Sequence, residues 1–186
     1  MISAVLPTYN RAPLAFVSGA GSWLTAEDGS RYLDLGAGIA VNALGHAHPA
    51  LVKTLTDQAA KLWHVSNVYR IPEQEALAQA LVDKTFADTV FFTNSGAEAV
   101  ECAIKTARAF HQNAGEAGDA GRFEIITFHN AFHGRTMATI SASNQEKMHH
   151  GFSPLLAGFK YAPFDDLEAA KALIGPNTAG FLVEPI

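Results

Sequence analysis

The 186-residue sequence has little cysteine, no excess of basic charge and no long apolar run. Its single cysteine, Cys102, excludes an internal disulfide and favours a reducing compartment such as the cytoplasm. Thirteen Lys and Arg residues against 18 Asp and Glu give a net charge of −5, which argues against a nucleic-acid-binding protein. No apolar run reaches the roughly 18 residues of a transmembrane helix, and residues 1–16 lack the order of a signal peptide. We therefore expect a cytoplasmic protein that binds neither nucleic acid nor a membrane.

The composition is that of a globular enzyme, with 48% hydrophobic and 17% charged residues. Residues 21–35 predict a β-hairpin with an Asp-Gly turn, and a glycine-rich loop follows over residues 36–49. Apolar residues recur at helical spacing after Pro49, and a second helix is predicted over residues 72–85. The first part of the chain thus reads as a small α/β segment.

Beyond residue 88, short apolar strands alternate with helices. The predicted strands lie in the segments TVFF, FEIITFHN, FKYAPF and AGFLVEPI. This alternation predicts an α/β fold with a mostly parallel sheet and helices on both faces. We expect a small N-terminal segment over residues 1–70 and the first half of a larger α/β domain over residues 71–186. Because the last strand ends without a covering helix, we expect a truncated chain.

The first candidate for chemistry is the turn Asn94-Ser95-Gly96-Ala97, where an apolar run changes into a helix. Ser95 and Glu98 match the S-x-x-E capping box, which explains the turn structurally. The alternative is an anion site, because Gly96 lets backbone N–H groups approach a phosphate and the helix dipole adds about half a positive charge. Taken alone, these residues favour the capping box.

The second candidate is the segment FHNAFHGRT, residues 128–136, which directly follows a buried strand. Open α/β sheets bind ligands at that end of their strands. Phe132 could stack on a planar ring, and Arg135 could bind a carboxylate through two parallel hydrogen bonds. Taken alone, a core phenylalanine and a solvated arginine are the simpler interpretation of each residue.

Other patterns give weaker signals. The sequence contains no G-x-x-x-x-G-K-[ST] motif, which excludes a P-loop, and GAGIAV lacks the third glycine of a dinucleotide-binding motif. The histidine pairs at 46/48 and 149/150 lack nearby partner ligands, so no metal site is predicted. Cys102 lies off the apolar stripe of its helix without a flanking basic residue, which predicts an unreactive free thiol.

Five stretches together resemble the class III pyridoxal-phosphate aminotransferases of fold type I, and most closely the acetylornithine aminotransferase group. They are GAGIAVNALGHAHP, LWHVSNVY, TNSGAEAVECAIKTAR, FHNAFHGRT and VEPI, in the family's order over nearly the whole chain. The resemblance implies that the amides of Ser95, Gly96 and Ala97 hold the cofactor phosphate. It implies further that Phe132 stacks on the pyridine ring and that Arg135 binds the substrate carboxylate.

The resemblance also implies a function. The cofactor would be pyridoxal 5′-phosphate, the amino donor N-acetylornithine and the acceptor 2-oxoglutarate. The products would be N-acetylglutamate semialdehyde and glutamate, in arginine biosynthesis. Residues 39–42 would line the pocket, and the full-length protein would be a homodimer.

The sequence departs from this family in length, since family members are considerably longer. The aspartate that pairs with the pyridinium nitrogen and the lysine that forms the Schiff base are expected beyond Ile186. The seven lysines present match no such position, so no catalytic residue is assigned and the chain alone is expected to be inactive.

Three hypotheses of different classes follow. The preferred one is the N-terminal part of an acetylornithine aminotransferase, with succinylornithine, ornithine and 4-aminobutyrate transaminases as alternatives within the family. The second is a short, non-catalytic protein that binds phosphate ligands or pairs with a full-length partner. The third is an unrelated α/β domain with chance motifs.

Overall fold

The computed structural model describes residues 4–113 and 121–185. The chain divides into two compact units, Met1–Gln79 and Ala80–Ile186. The domain boundary that we placed between residues 70 and 71 stays a prediction.

The N-terminal unit contains a three-stranded antiparallel sheet in the order β1-β2-β3. Its strands are β1 (Phe16–Ala20), β2 (Trp23–Ala26) and β3 (Arg31–Leu33). The predicted hairpin is confirmed, since β2 and β3 pair across a turn in which the Ser30 N–H donates to Asp28 Oδ1 at 2.9 Å. Gly29 has a φ of +84° in this turn, a conformation that glycine adopts without steric cost. Strand β1 was not predicted, because its Ser-Gly-Ala end has low strand propensity and backbone pairing with β2 holds it in place.

The glycine-rich loop is closed onto this sheet by Asp34 and His46. Gly21 and His46 exchange two backbone hydrogen bonds of 3.0 and 2.8 Å, and His46 Nε2 lies 2.7 Å from Asp34 Oδ2. The hydrogen bond from His46 lowers the pKa of Asp34, whose other oxygen accepts two backbone N–H groups at the start of the loop. His46 therefore has a structural role in this unit.

Two helices begin at the predicted prolines, α1 (Pro49–Ala59) and α2 (Pro72–Val82). Proline suits the first helical position, where the backbone N–H has no intrahelical partner. α2 ends before the predicted Thr85, where the backbone N–H groups of Lys84 and Thr85 donate to carbonyls three residues back, at 3.2 and 3.4 Å. Neither helix has a buried residue.

The C-terminal unit contains a parallel three-stranded sheet in the order β5-β4-β6. The strands are β4 (Glu124–Phe128), β5 (Phe159–Ala162) and β6 (Thr178–Phe181). The helices are α3 (Gly96–Asn113), α4 (Met137–Ala142), α5 (Glu146–His149) and α6 (Leu167–Ala172). No helix in the described part of the chain is long and apolar enough to span a bilayer.

Helices cover both faces of this sheet, as predicted. On one face, Ile126 is fully buried against Ala162 of β5 and Ala170 of α6. On the other face, Ile125 shares a small cavity with Ile104 of α3. Successive residues of a strand point to opposite faces, so Ile125 and Ile126 of β4 each pack towards a different helix.

One predicted strand does not form. Residues 89–92, TVFF, find no pairing partner among the described residues, and Phe91 is 76% exposed. Apolar β-branched and aromatic composition favours a strand only where a neighbouring strand can pair with it, so the prediction was wrong here. The short helix α5 was also not predicted.

Candidate functional site

In the described part of the chain, the N-terminal end of α3 has three consecutive backbone N–H groups without a protein acceptor, those of Ser95 and of the first helical residues Gly96 and Ala97. A Cβ added at Gly96 would meet nothing within 4 Å, so the turn is open on that side. Free amides at a helix N-terminus, together with the helix dipole, form an anion-binding arrangement.

One bond of the predicted capping box is present as expected, and the other is shifted by one residue. Ser95 Oγ accepts the Glu98 N–H at 3.2 Å, as in a capping box. Glu98 Oε2 accepts the Asn94 N–H at 2.6 Å, one residue before the expected Ser95 N–H. The cap therefore uses none of the three free amides, and the structural and anion-binding interpretations are compatible.

The segment after β4 alternates between buried and exposed residues. His133 is 6% exposed and Gly134 is buried, whereas Phe132 is 51% exposed and Arg135 is exposed. The interpretation of Phe132 as a core phenylalanine is therefore wrong. The Arg135 guanidinium carbon lies 5.9 Å from the centre of the Phe132 ring, so both groups can reach one bound molecule.

Gly134 brings this segment into contact with the first turn of α3. Its φ is +125°, and a Cβ built there would lie 2.9 Å from Ala97 Cβ and 2.8 Å from Thr139 Oγ1. A second link is the hydroxyl of Thr136, which donates to Glu101 of α3 at 2.5 Å. The structure thus brings the two candidate segments together, although nothing in their sequences shows that they meet.

A buried polar network lies beneath the segment. His133 Nε2 lies 3.0 Å from Thr127 Oγ1, and the His133 backbone N–H donates to Ser143 Oγ at 3.0 Å. Ser143 in turn donates to the Thr139 carbonyl at 3.0 Å, and Thr127, Thr139 and Ser143 are fully buried. Burial lowers the pKa of His133 below its ordinary value of 6.5, and the negative charge of Glu184 partly opposes that shift. Satisfied networks of this kind hold a loop in one conformation.

Glu184 is a residue of this region to which the sequence analysis gave no role. Its Oε2 accepts the Phe132 backbone N–H at 2.9 Å, and it lines a cleft of about 240 Å³. The other residues that line the cleft are His129, Asn130, Ala131 and Phe164. The available signal was an acidic residue shortly after a buried apolar run, at the carboxyl end of a predicted parallel strand.

The remaining candidates do not join this group. Residues 39–42 belong to the N-terminal unit, where Ile39 is 97% exposed, and their placement around a pocket stays a prediction. Cys102 is a half-buried free thiol whose Sγ lies 3.9 Å from Thr106 Oγ1. Among the described residues, no three His, Cys, Asp or Glu side chains gather as a metal ion would require.

Comparison with known proteins connects this geometry to one family. The family model for class III aminotransferases matches residues 5–186. Acetylornithine aminotransferase from Rhodobacter capsulatus is 64% identical over 186 residues, which are all of this chain and 47% of that protein. The chain thus spans about half the length of the curated relatives that it matches.

Solved structures agree with this match. The ornithine aminotransferase of Toxoplasma gondii superposes with a TM-score of 0.89 at 30% identity, over 98% of this chain and 43% of that one. N-acetylornithine aminotransferase from Stenotrophomonas maltophilia superposes with a TM-score of 0.69 at 35% identity, over 89% of this chain and 39% of that one.

We expect Gly134→Ala to destabilise the protein by about 1–3 kcal/mol, because the new methyl group would press against Ala97 and Thr139. Urea denaturation measures the change. Gly151→Ala is the matched control, since Gly151 also has a positive φ, +83°, but a Cβ there would meet nothing within 4 Å. Equal stabilities of the two variants would contradict the close approach of the two segments.

We expect the protein to lose stability as the pH falls below about 6.5, because the folded state disfavours the charged form of His133. The lowered pKa means that the unfolded chain binds the proton more readily, so unfolding takes up a proton in this range. Thermal unfolding between pH 7.5 and 5 measures the effect, and His133→Gln, which cannot titrate, should flatten the curve. An unchanged slope in this variant would show that another group causes the loss.

Proposed function

Because the chain belongs to the class III aminotransferase family, we propose that its gene product is a transaminase that uses pyridoxal 5′-phosphate. The fold is that of the fold type I enzymes of this class. The observation that supports the proposal is the close approach of Gly134 to Ala97, which joins the segment that carries Phe132 and Arg135 to the helix start that carries the free amides.

The described residues fit this cofactor. The three free amides of Ser95, Gly96 and Ala97 match the oxygens of a phosphate ester at a helix N-terminus. Phe132, which is half-exposed, can offer the flat apolar face of its ring to a pyridine ring. When bound, pyridoxal phosphate supplies an electron sink for removal of the proton next to the reacting nitrogen.

Arg135 is the proposed binding residue for the carboxylate group of the substrates. Its guanidinium is exposed beside Phe132, and it can donate two parallel hydrogen bonds to one carboxylate group. In this proposal it holds the α-carboxylate of the amino donor and, in the second half of the reaction, a carboxylate of 2-oxoglutarate. Its role is to orient the substrate relative to the ring that stacks on Phe132.

We assign N-acetylornithine as the amino donor, with glutamate and N-acetylglutamate semialdehyde as products. The support is the 64% identity with the acetylornithine aminotransferase of R. capsulatus. Ornithine, succinylornithine and 4-aminobutyrate also carry a carboxylate at a distance from a terminal amine, so Arg135 would serve these donors in the same way. Direct comparison of the four donors separates these activities.

None of the seven lysines of this chain is assigned to the cofactor, and the proposed role of its residues is to bind and orient the cofactor and the substrate. We further propose a cytoplasmic homodimer, with the domain boundary near residue 70. The homodimer is supported by large apolar residues of the N-terminal unit that a second subunit could cover: Leu55 is 72% exposed and Trp63 is 86% exposed.

We expect Arg135→Ala in the gene product to lower kcat/KM roughly 10- to 100-fold for N-acetylornithine and for 2-oxoglutarate, mainly by raising KM. Cofactor affinity should stay close to that of the unaltered protein, and Arg135→Lys should recover part of the loss because it keeps the charge. The matched control is Arg11→Ala, which removes an exposed arginine of the other unit.

Steady-state kinetics and the visible absorbance of the bound cofactor check this prediction. Unchanged KM values for both substrates would remove Arg135 from the site. A gene product that binds phosphate esters but transfers no amino group would favour the non-catalytic hypothesis.

A further inference from the structure

Glu184 makes a hydrogen bond that connects two distant parts of the C-terminal unit. Its carboxylate oxygen Oε2 accepts the backbone N–H of Phe132 at 2.9 Å, across 52 positions of the sequence. In the part of the chain that the structure describes, Phe132 makes no other hydrogen bond. Phe132 is 51% exposed as a residue, so packing holds it only in part.

The parallel sheet places Glu184 where it can make this bond. Beyond the end of β6, the Leu182 N–H still donates to the Ile126 carbonyl of β4 at 2.9 Å, which keeps the two strands in register. Because β4 and β6 run in the same direction, the residues that follow them leave the sheet at the same edge. Glu184 and Phe132 therefore meet at the carboxyl edge, beside the cleft of about 240 Å³.

Two consecutive amides of the segment have separate anchors. Glu184 holds the N–H of Phe132, and Ser143 Oγ accepts the N–H of His133 at 3.0 Å. The first anchor is charged and half-buried, whereas the second is neutral and fully buried. Loss of Glu184 therefore leaves the Phe132 amide without its acceptor, whereas the His133 amide keeps its bond to Ser143.

We propose that Glu184 is a positioning residue that fixes the backbone of Phe132 and thereby the angle at which its ring stacks on the cofactor. This inference rests on the proposed function. Glu184 acts through the length of its side chain, which brings an acceptor oxygen to the Phe132 amide. A competing explanation is that only its negative charge matters, through its effect on His133.

Two substitutions separate these explanations in the gene product. Glu184→Gln keeps the reach and an acceptor oxygen but removes the charge, whereas Glu184→Asp keeps the charge and shortens the side chain by one methylene. Glu184→Ala removes both. The matched control is Glu168→Gln on α6, whose side chain is 83% exposed and pairs with Lys171.

Three measurements give the result. Hydrogen exchange of the Phe132 amide reports the bond directly, the visible circular dichroism of the bound cofactor reports the orientation of its ring, and a titration gives the cofactor dissociation constant. We expect faster exchange, altered dichroism and about tenfold weaker cofactor binding in Glu184→Asp and Glu184→Ala. Glu184→Gln should stay within about threefold of the unaltered protein, and Glu168→Gln should match it.

The opposite order, with Glu184→Asp unaffected and Glu184→Gln impaired, would overturn the proposal in favour of a purely electrostatic role. Unchanged amide exchange in Glu184→Ala would also overturn it, because the bond would then be absent in solution. If the unaltered protein binds no pyridoxal phosphate, the proposed function fails. In that case the amide-exchange result still decides whether Glu184 holds Phe132.

Discussion

The close approach of Gly134 to Ala97 is the constraint on which the candidate site depends. A Cβ at residue 134 would lie 2.9 Å from the Ala97 methyl, and the φ of +125° is one that residues with side chains rarely adopt. Through this contact, the segment that carries Phe132 and Arg135 lies against the start of α3, where the amides are free. Neither segment alone would distinguish a cofactor site from ordinary structure.

The architecture around that contact explains why the site is rigid on one side and open on the other. Beneath the segment, fully buried Thr127 and Ser143 bond to His133, so the polar groups of the loop are satisfied within the protein. Above it, Phe132 and Arg135 point outward. Recognition groups held by a satisfied buried network are arranged in advance, which lowers the entropy lost when a ligand binds.

Much of the local structure could be predicted, because it depends on residues close in sequence. The Asp-Gly hairpin, the helix that begins at Pro49 and the Ser95 cap each depend on a few adjacent residues, and all three are present. The alternation of strands and helices predicted the parallel sheet for the same reason. The family resemblance assigned roles to five site residues, and those roles remain predictions.

Features that depend on distant partners could not be predicted in this way. The TVFF segment has strand composition but finds no partner among the described residues, and β1 forms only because β2 pairs with it. The bond from Glu184 to Phe132 depends on the register of two parallel strands, which a single sequence does not reveal. The one-residue shift of the Glu98 bond, which frees the Ser95 amide, depends on side-chain geometry at the turn.

The central claim is that the amides at the start of α3 and the ring of Phe132 contact one phosphate-bearing ligand. The most direct test is an NMR titration of the gene product with pyridoxamine 5′-phosphate, which has no aldehyde to react with lysines, and with inorganic phosphate in parallel. The account predicts that the amide signals of Ser95, Gly96 and Ala97 shift with both ligands, whereas Phe132 shifts only with the ring-bearing one. Shifts confined to other residues, or none at saturating concentration, would contradict it.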